Sequence, residues 1–296
     1  MTRTAQRCSL LFALLLTANA AAQAQPVGGR ETAPVEAIHL AGSVYLLTGG
    51  SGANSSALIG DTEVMLIDSK SDAVSAEGVL AALREITTGS VRYLINTHEH
   101  PDHTGGNELI GSQGATIVAH QGVRAVLAAG QRGGPPAPDI ALPLATFDAA
   151  ERMTLHLNAE TIEIVAMPAA HTPNNTLVHF VDADIYHLGD LYTRTRYPVI
   201  AGGTLQGFID AITAVLDNSD SNSRFIPGVG EVGDRADLLS YRDMLITVRD
   251  RVAALVADGK SAEDILAANP TAEFDAIYGD PSRLFLPPAI RELGGN

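Results

Sequence analysis

Three histidines and one aspartate lie within six positions, in the run H-E-H-P-D-H at positions 98 to 103, directly after a short apolar stretch that predicts a strand. Residues two apart in an extended chain project to the same side, so the imidazoles of His98 and His100 can converge on one ion. Asp102 and His103 follow a proline that turns the chain, so they can face a second ion. The run therefore predicts a metal centre at the end of a strand.

The metal ligands must be nitrogen and oxygen atoms, because the only cysteine is Cys8. Cys8 lies in a predicted secretory signal peptide, residues 1–24, which has two arginines ahead of the apolar run Leu10–Leu16. That run is too short for a transmembrane helix. We expect the mature protein, residues 25–296, to be periplasmic or secreted, with neither a disulfide nor a thiol. Zinc accepts imidazole and carboxylate ligands, and a catalytic zinc site needs about three of them.

Helices interrupt two halves of the chain that are rich in predicted strands. The first half contains the strand before the metal run and a predicted helix at Ser71–Ile86, whereas the second has strand-like segments from Met153 to Gly189. A helix at Leu205–Leu216, a last strand at Arg224–Ile226 and a helical tail from Asp234 complete the pattern. Two sheets packed face to face with helices outside are the expected architecture, in one domain because no linker divides the mature chain.

The charge balance excludes two classes of partner. The chain has 19 Lys+Arg against 34 Asp+Glu, a formal net charge of −15. Binding to nucleic acid needs a basic surface that neutralises phosphates, and docking on an anionic membrane needs the same. We therefore expect a small-molecule substrate, with no nucleic acid and no membrane partner; the oligomeric state is not predicted.

The run at positions 98 to 103 resembles the H-x-H-x-D-H signature of the metallo-β-lactamase fold superfamily. Three later segments resemble further parts of that pattern in the same order, namely Ala170–Asn175, His187–Asp190 and Ile226–Gly230. The resemblance covers nearly all of the mature chain. It implies an α+β fold, the αββα sandwich, followed by a helical C-terminal tail.

The resemblance also implies a first zinc site and a reaction. His98, His100 and His171 would hold the first zinc ion. Asp102 would act in catalysis by orienting a metal-bound hydroxide and taking or passing its proton. That hydroxide would attack an amide, ester, thioester or lactone carbonyl of a small molecule.

The second zinc site departs from the family pattern. The resemblance places Asp102 and His103 there with Asp190 bridging, but Val229 replaces the last ligand histidine. No histidine follows His187 in the sequence, so a shifted register cannot supply one. We therefore expect one firmly held Zn²⁺ and a second that is weak or absent. His187 lies three residues before Asp190 and is a candidate to orient it.

Three functions stay open from the sequence. A β-lactamase-like hydrolase is favoured by the predicted export, and a thioesterase or lactonase of the same fold is the alternative. The non-enzymatic alternative is a degenerate metal- or ligand-binding scaffold, because of Val229. Tyr192, Tyr197 and the segment Gly133–Pro138 are candidates to border the substrate.

Overall fold

The computed structural model describes residues 33–148 and 152–295, and the predicted signal peptide lies outside them. The strands of this part of the chain are β1 (Glu36–Ala41), β2 (Val44–Thr48), β3 (Ser55–Ile59), β4 (Glu63–Ile67), β5 (Ser90–Asn96), β6 (Thr116–His120), β7 (Ala145–Phe147), β8 (Arg152–Leu157), β9 (Glu160–Ala166), β10 (Thr176–Phe180), β11 (Ile185–Thr193) and β12 (Arg224–Val229). The helices are α1 (Ala73–Arg84), α2 (Pro101–Thr104), α3 (Asn107–Ser112), α4 (Gln121–Ala129), α5 (Leu205–Asp217), α6 (Arg235–Ala257), α7 (Ala262–Ala267), α8 (Asp275–Tyr278) and α9 (Leu286–Glu292). None of these helices combines the length and apolarity that a membrane span needs.

The strands form one seven-stranded sheet and one five-stranded sheet. The first runs from β1 to β7 in chain order, with antiparallel pairs up to β4 and parallel pairs from β4 onward. The second has the order β12-β11-β10-β9-β8, and only its edge pair β11–β12 is parallel. Since β4, β5 and β6 are parallel, their carboxyl ends meet at one edge of the first sheet, where polar residues can gather.

Three apolar layers hold the sandwich together. Between the two sheets, side chains such as Met65 and Ile95 of the first pack against Ile164 and Val178 of the second. On the outer face of the first sheet, α1 and α3 bury their apolar residues. On the outer face of the second sheet, α5, α6 and α9 form the largest cluster. The order helix, sheet, sheet, helix confirms the predicted αββα sandwich of the α+β class, and α6 to α9 form the predicted helical tail.

Amphipathic patterning and capping residues explain the main helices. Helix α1 begins at the side chain of Asp72, which accepts a hydrogen bond from the backbone N–H of Ser75 (2.7 Å). Helix α6 begins with a capping box in which Asp234 and Asp237 exchange side-chain to backbone hydrogen bonds. Its buried residues recur three and four apart, as a helix packed on a sheet requires.

The structure differs from the sequence expectations at several boundaries. Strands β1 and β7 were not predicted, and β12 extends beyond the predicted end at Ile226 to Val229. The segment after the metal run forms the short helices α2 and α3. Pairing explains these differences: β1 is half-exposed but pairs with β2, and β12 continues along β11 as far as Thr193. Such pairing is decided by distant residues.

Candidate metal centre

His98 and His100 lie directly after β5, at the edge where the parallel strands end. Pro101 occupies the first position of α2, where its fixed φ suits the helix and its missing N–H costs nothing. The helix turns the chain so that Asp102 and His103 face back towards the end of β5. The backbone carbonyl of His103 accepts a hydrogen bond from the N–H of Ser69 (2.8 Å), which ties this turn to the segment after β4.

Three imidazole nitrogens converge on one point. His98 Nε2 lies 3.1 Å from His100 Nδ1, and His171 Nε2 lies 3.1 Å and 2.8 Å from those two atoms. Ligands 2.0–2.1 Å from a tetrahedral zinc ion are about 3.3 Å apart, so the triangle is close to one face of that tetrahedron. His98 and His171 are buried, and His100 is half-buried. The structure therefore brings together the three histidines predicted for the first site.

The environments of His98 and His100 favour the neutral imidazole, which is the form that binds metal. Burial, reinforced by the neighbouring imidazoles of His103 and His171, lowers the pKa of His98 well below its usual value. Burial and His171 likewise lower the pKa of His100 to about 4. His171 Nδ1 donates a hydrogen bond to the carbonyl of Val199 (2.6 Å), which leaves a lone pair on Nε2 facing the other two rings.

A second cluster adjoins the first and consists of His98, His103 and Asp190. His103 Nε2 lies 3.4 Å from Asp190 Oδ1, and both atoms are buried without a hydrogen-bond partner among the described residues. Asp190 Oδ2 lies 3.5 Å from His171 Nε2. Asp190 therefore belongs to the second cluster and also approaches a nitrogen of the first, and its bridging role stays a prediction.

Asp68, which sequence reasoning missed, orients His103. It follows β4, and its Oδ2 accepts a hydrogen bond from His103 Nδ1 (2.6 Å) while its carboxylate also accepts from the N–H and hydroxyl of Thr97. Burial alone would raise the pKa of Asp68, but the charge and hydrogen bond of His103 lower it to about 2. Burial would lower the pKa of His103, but the carboxylates of Asp68 and Asp190 raise it well above its usual value. The position of Asp68 at the end of a strand parallel to β5 was the available signal.

Two glycines position the carboxylate of Asp190. Gly189 has a positive φ of 52° and coincides with a shift in the register between β11 and β12, so the strand bulges where Asp190 turns into the site. Gly228 of β12 packs its Cα against Asp190 Oδ1, and a Cβ there would overlap that oxygen. Burial would raise the pKa of Asp190, but His103 and the other imidazoles hold it well below its usual value.

The residues expected at the second metal site do not form a complete ligand set. Asp102 Oδ2 lies 3.7 Å from His103 Nε2, but its side chain is 39% exposed and it belongs to neither cluster. Val229 lies at the end of β12 and offers no donor, and Glu231 is exposed. Arg196 Nη2 lies 3.2 Å from Asp190 Oδ2. A cation of the protein itself therefore contacts the carboxylate that would bridge two metal ions.

Three sequence predictions near the site were wrong. His187 does not contact Asp190: its Nδ1 lies 2.8 Å from the Ser56 hydroxyl and its Nε2 lies 3.7 Å from Asp68 Oδ2. Tyr192 and Tyr197 are buried in the core between β11 and the tail rather than at a mouth. The Tyr197 hydroxyl donates to Asp275 Oδ1 (2.8 Å). Both tyrosines follow Asp190 closely in sequence, but β11 and the turn after it direct them into the helical layer.

The loop that contains Gly133–Pro138 begins at the site. The side-chain amide of Gln131 donates to the carbonyl of Glu99 within the metal run. Residues 133 to 138 themselves are mostly exposed. The carboxylate of Glu99 accepts hydrogen bonds from Thr172 and Asn174, so it joins the segment of His171 to the segment of His98 and His100.

The sequence model of the metallo-β-lactamase superfamily matches residues 48–257. The chain belongs to the metallo-β-lactamase superfamily. Membership makes it a metal-dependent hydrolase at the level of the superfamily, and it agrees with the order of the three histidines and Asp190 along the chain. No curated protein shows a significant sequence match to it.

Three solved structures share the fold at low sequence identity. The metallo-β-lactamase from Pontibacter korlensis has a TM-score of 0.62 and 20% identity, over 71% of this chain and 98% of that one. The DIM-1 metallo-β-lactamase has a TM-score of 0.62 and 18% identity, over 73% and 99%. A double mutant of the sec-alkyl sulfatase PisA1 has a TM-score of 0.64 and 16% identity, over 79% of this chain but only 45% of the sulfatase. These similarities concern the fold.

Proposed function

We propose that the protein is an exported, zinc-dependent, β-lactamase-like hydrolase that cleaves an amide- or ester-type carbonyl bond in a small molecule. The observation that carries the proposal is the convergence of His98, His100 and His171, whose three ring nitrogens lie 2.8–3.1 Å apart. When bound there, a zinc ion supplies a Lewis acid and lowers the pKa of a coordinated water to about 7.

The side chains around the three histidines have separate tasks. The carbonyl of Val199 fixes the tautomer of His171, so that Nε2 stays available as a ligand atom. Asp102 is near enough to His103 to face the site and exposed enough to exchange protons with solvent. It therefore serves as the base that orients a water molecule and removes its proton. Asp68 orients the ring of His103 through Nδ1, the nitrogen that does not face Asp190.

A cleft beside the site suits a small-molecule substrate. It has a volume of about 850 Å³, within the usual range for ligand sites, and it lies along one side of the sandwich, lined by β1 and β2 of the first sheet and by β12 of the second. Gly228 lines the cleft and also packs against Asp190, so the cleft and the metal centre share a wall.

The lining of this cleft favours a second candidate function. Five aliphatic side chains face it, namely Ile38, Leu40, Leu46, Val229 and Val232. An aliphatic wall suits the apolar acyl group of a thioester or a lactone. A thioesterase or lactonase of the same fold is therefore the alternative to a β-lactamase-like hydrolase.

Hydrolysis assays on metal-stripped and zinc-reloaded protein separate these functions. The substrates are nitrocefin, an aryl ester, an acyl thioester and an acyl lactone, and zinc per chain is measured in the same samples. We expect zinc-dependent turnover, with nitrocefin identifying the β-lactamase-like activity and the thioester or lactone the alternative. One tightly bound zinc with no turnover of any of the four would contradict the proposal and favour a binding scaffold.

Export is proposed from the signal-peptide pattern at residues 1–24. The test is expression in a bacterial host followed by fractionation and N-terminal sequencing. A chain that starts near residue 25 in the periplasm or the medium is expected. An uncleaved chain retained in the cytoplasm would contradict export without affecting the hydrolase proposal.

A further inference from the structure

Arg196 lies on a short turn after β11, and its side chain contacts the carboxylate of Asp190. Thr193 closes the turn by donating its hydroxyl to the carbonyl of Arg196 (2.6 Å). The next residue, Tyr197, is buried and stacks on Phe285 with ring centroids 4.9 Å apart. The carbonyl of Arg196 and the residue that follows it are thereby held in place, and the side chain of Arg196 reaches Asp190.

The guanidinium adds a positive charge that, unlike that of an imidazole, does not depend on pH. Asp190 is 6% exposed, and a buried carboxylate without a cation beside it is strongly destabilising. In a two-metal site the second ion would provide that charge, but Val229 removes one of its ligands. Arg196 Nη2, at 3.2 Å from Asp190 Oδ2, is the only Lys or Arg nitrogen that pairs with Asp190 among the described residues.

We infer that Arg196 takes the place of the second metal ion, so that the protein works with one metal ion and a fixed guanidinium on Asp190. A divalent ion held by Asp190 and His103 would lie within a few ångström of that guanidinium, and like charges so close repel strongly in a partly buried site. Arg196 is a positioning residue, since it acts through Asp190.

The inference rests on the proposed function only in that His98, His100 and His171 hold one metal ion. It predicts that restoring the missing histidine is insufficient. In Val229→His the guanidinium still pairs with Asp190, so zinc content should stay at one ion per chain. In the double variant Val229→His with Arg196→Met, the carboxylate is free and the ligand set is complete, so zinc content should rise to two.

The matched control is Arg194→Met combined with Val229→His. Arg194 lies in the same turn, but its guanidinium pairs with Asp237 (2.8 Å) rather than with Asp190. Removing it should leave zinc content at one. Zinc is measured on the full chain by native mass spectrometry and by elemental analysis after dialysis against excess zinc, with circular dichroism to verify folding.

Two results would overturn the inference. One is a second zinc ion in Val229→His alone, and the other is a folded double variant with Arg196→Met that still binds only one. Neither result depends on finding a substrate, so failure of this inference is distinguishable from failure of the proposed hydrolase. If no zinc binds to the wild-type chain at all, the proposed function fails first.

Discussion

Replacing Gly228 by alanine perturbs the metal centre without removing any polar group from it. A methyl group on this residue would lie less than 3.0 Å from Asp190 Oδ1, a separation that real Cβ atoms do not show. Ordinary contact begins near 3.4 Å, so the carboxylate or the end of β12 has to move by about 1 Å or more.

A displacement of that size is enough to disconnect Asp190 from its surroundings. Its contact with Arg196 is 3.2 Å long, and lengthening it by about 1 Å takes it beyond hydrogen-bonding distance. Disturbing groups that orient metal ligands typically lowers metal affinity by about 10- to 100-fold. We therefore expect Gly228→Ala to weaken zinc binding by about 1.4 to 2.8 kcal/mol.

Competition with a chromogenic zinc chelator measures this loss directly. The matched control is Gly78→Ala in the middle of α1, where the added methyl meets only the side chain of Val35. That substitution should leave zinc affinity unchanged. Alanine is favoured over glycine in a helix interior by about 0.8–1.0 kcal/mol, so helix α1 should not be destabilised. Wild-type zinc affinity in a folded Gly228→Ala variant would refute the role given to Asp190 and to the close approach of β12.

Three further changes test other parts of the structure. His100→Ala should abolish zinc binding and activity. The urea-unfolding free energy of the metal-free protein should change by less than about 1 kcal/mol, because the side chain is only half-buried. Retained zinc binding would contradict the role of His100 as a ligand. Asp68→Asn removes the charge that pairs with His103 and should lower that free energy by about 2–4 kcal/mol, so an unchanged urea midpoint would contradict the pairing. Burial lowers the pKa of Lys70 from 10.5 to about 8, so over this range the unfolded chain keeps the Lys70 proton to higher pH than the folded chain does. The unfolding free energy of wild type, relative to that of Lys70→Met, should therefore increase by about 1–2 kcal/mol between pH 7 and 9.5 in urea titrations. A difference that stays constant with pH would contradict the lowered pKa.

The sequence was sufficient to predict the αββα layers and the three histidines that converge in the structure. Ligand-type residues two apart after a strand need only local geometry to converge, which is why His98 and His100 were predictable. His171 came from the order of family segments along the chain. The apolar spacing of the helices was equally local, and α5 matches its prediction within one residue at its end.

What the sequence could not supply depends on contacts between distant segments. Asp68 is 35 residues before His103, and its role appears only when parallel β4 and β5 end at the same edge. Arg196 resembles any loop arginine until the turn after β11 brings it back to Asp190. For Tyr197 the sequence predicted a role that the structure does not support. Its place near Asp190 in sequence suggested a substrate contact, but packing buries it in the helical layer.

Anomalous X-ray diffraction at the zinc edge, on crystals of the zinc-loaded full chain, tests the central claim most directly. One strong peak is expected about 2 Å from His98 Nε2, His100 Nδ1 and His171 Nε2, with no second peak between His103 and Asp190. Zinc found elsewhere on the protein, with those three nitrogens unliganded, would contradict the account.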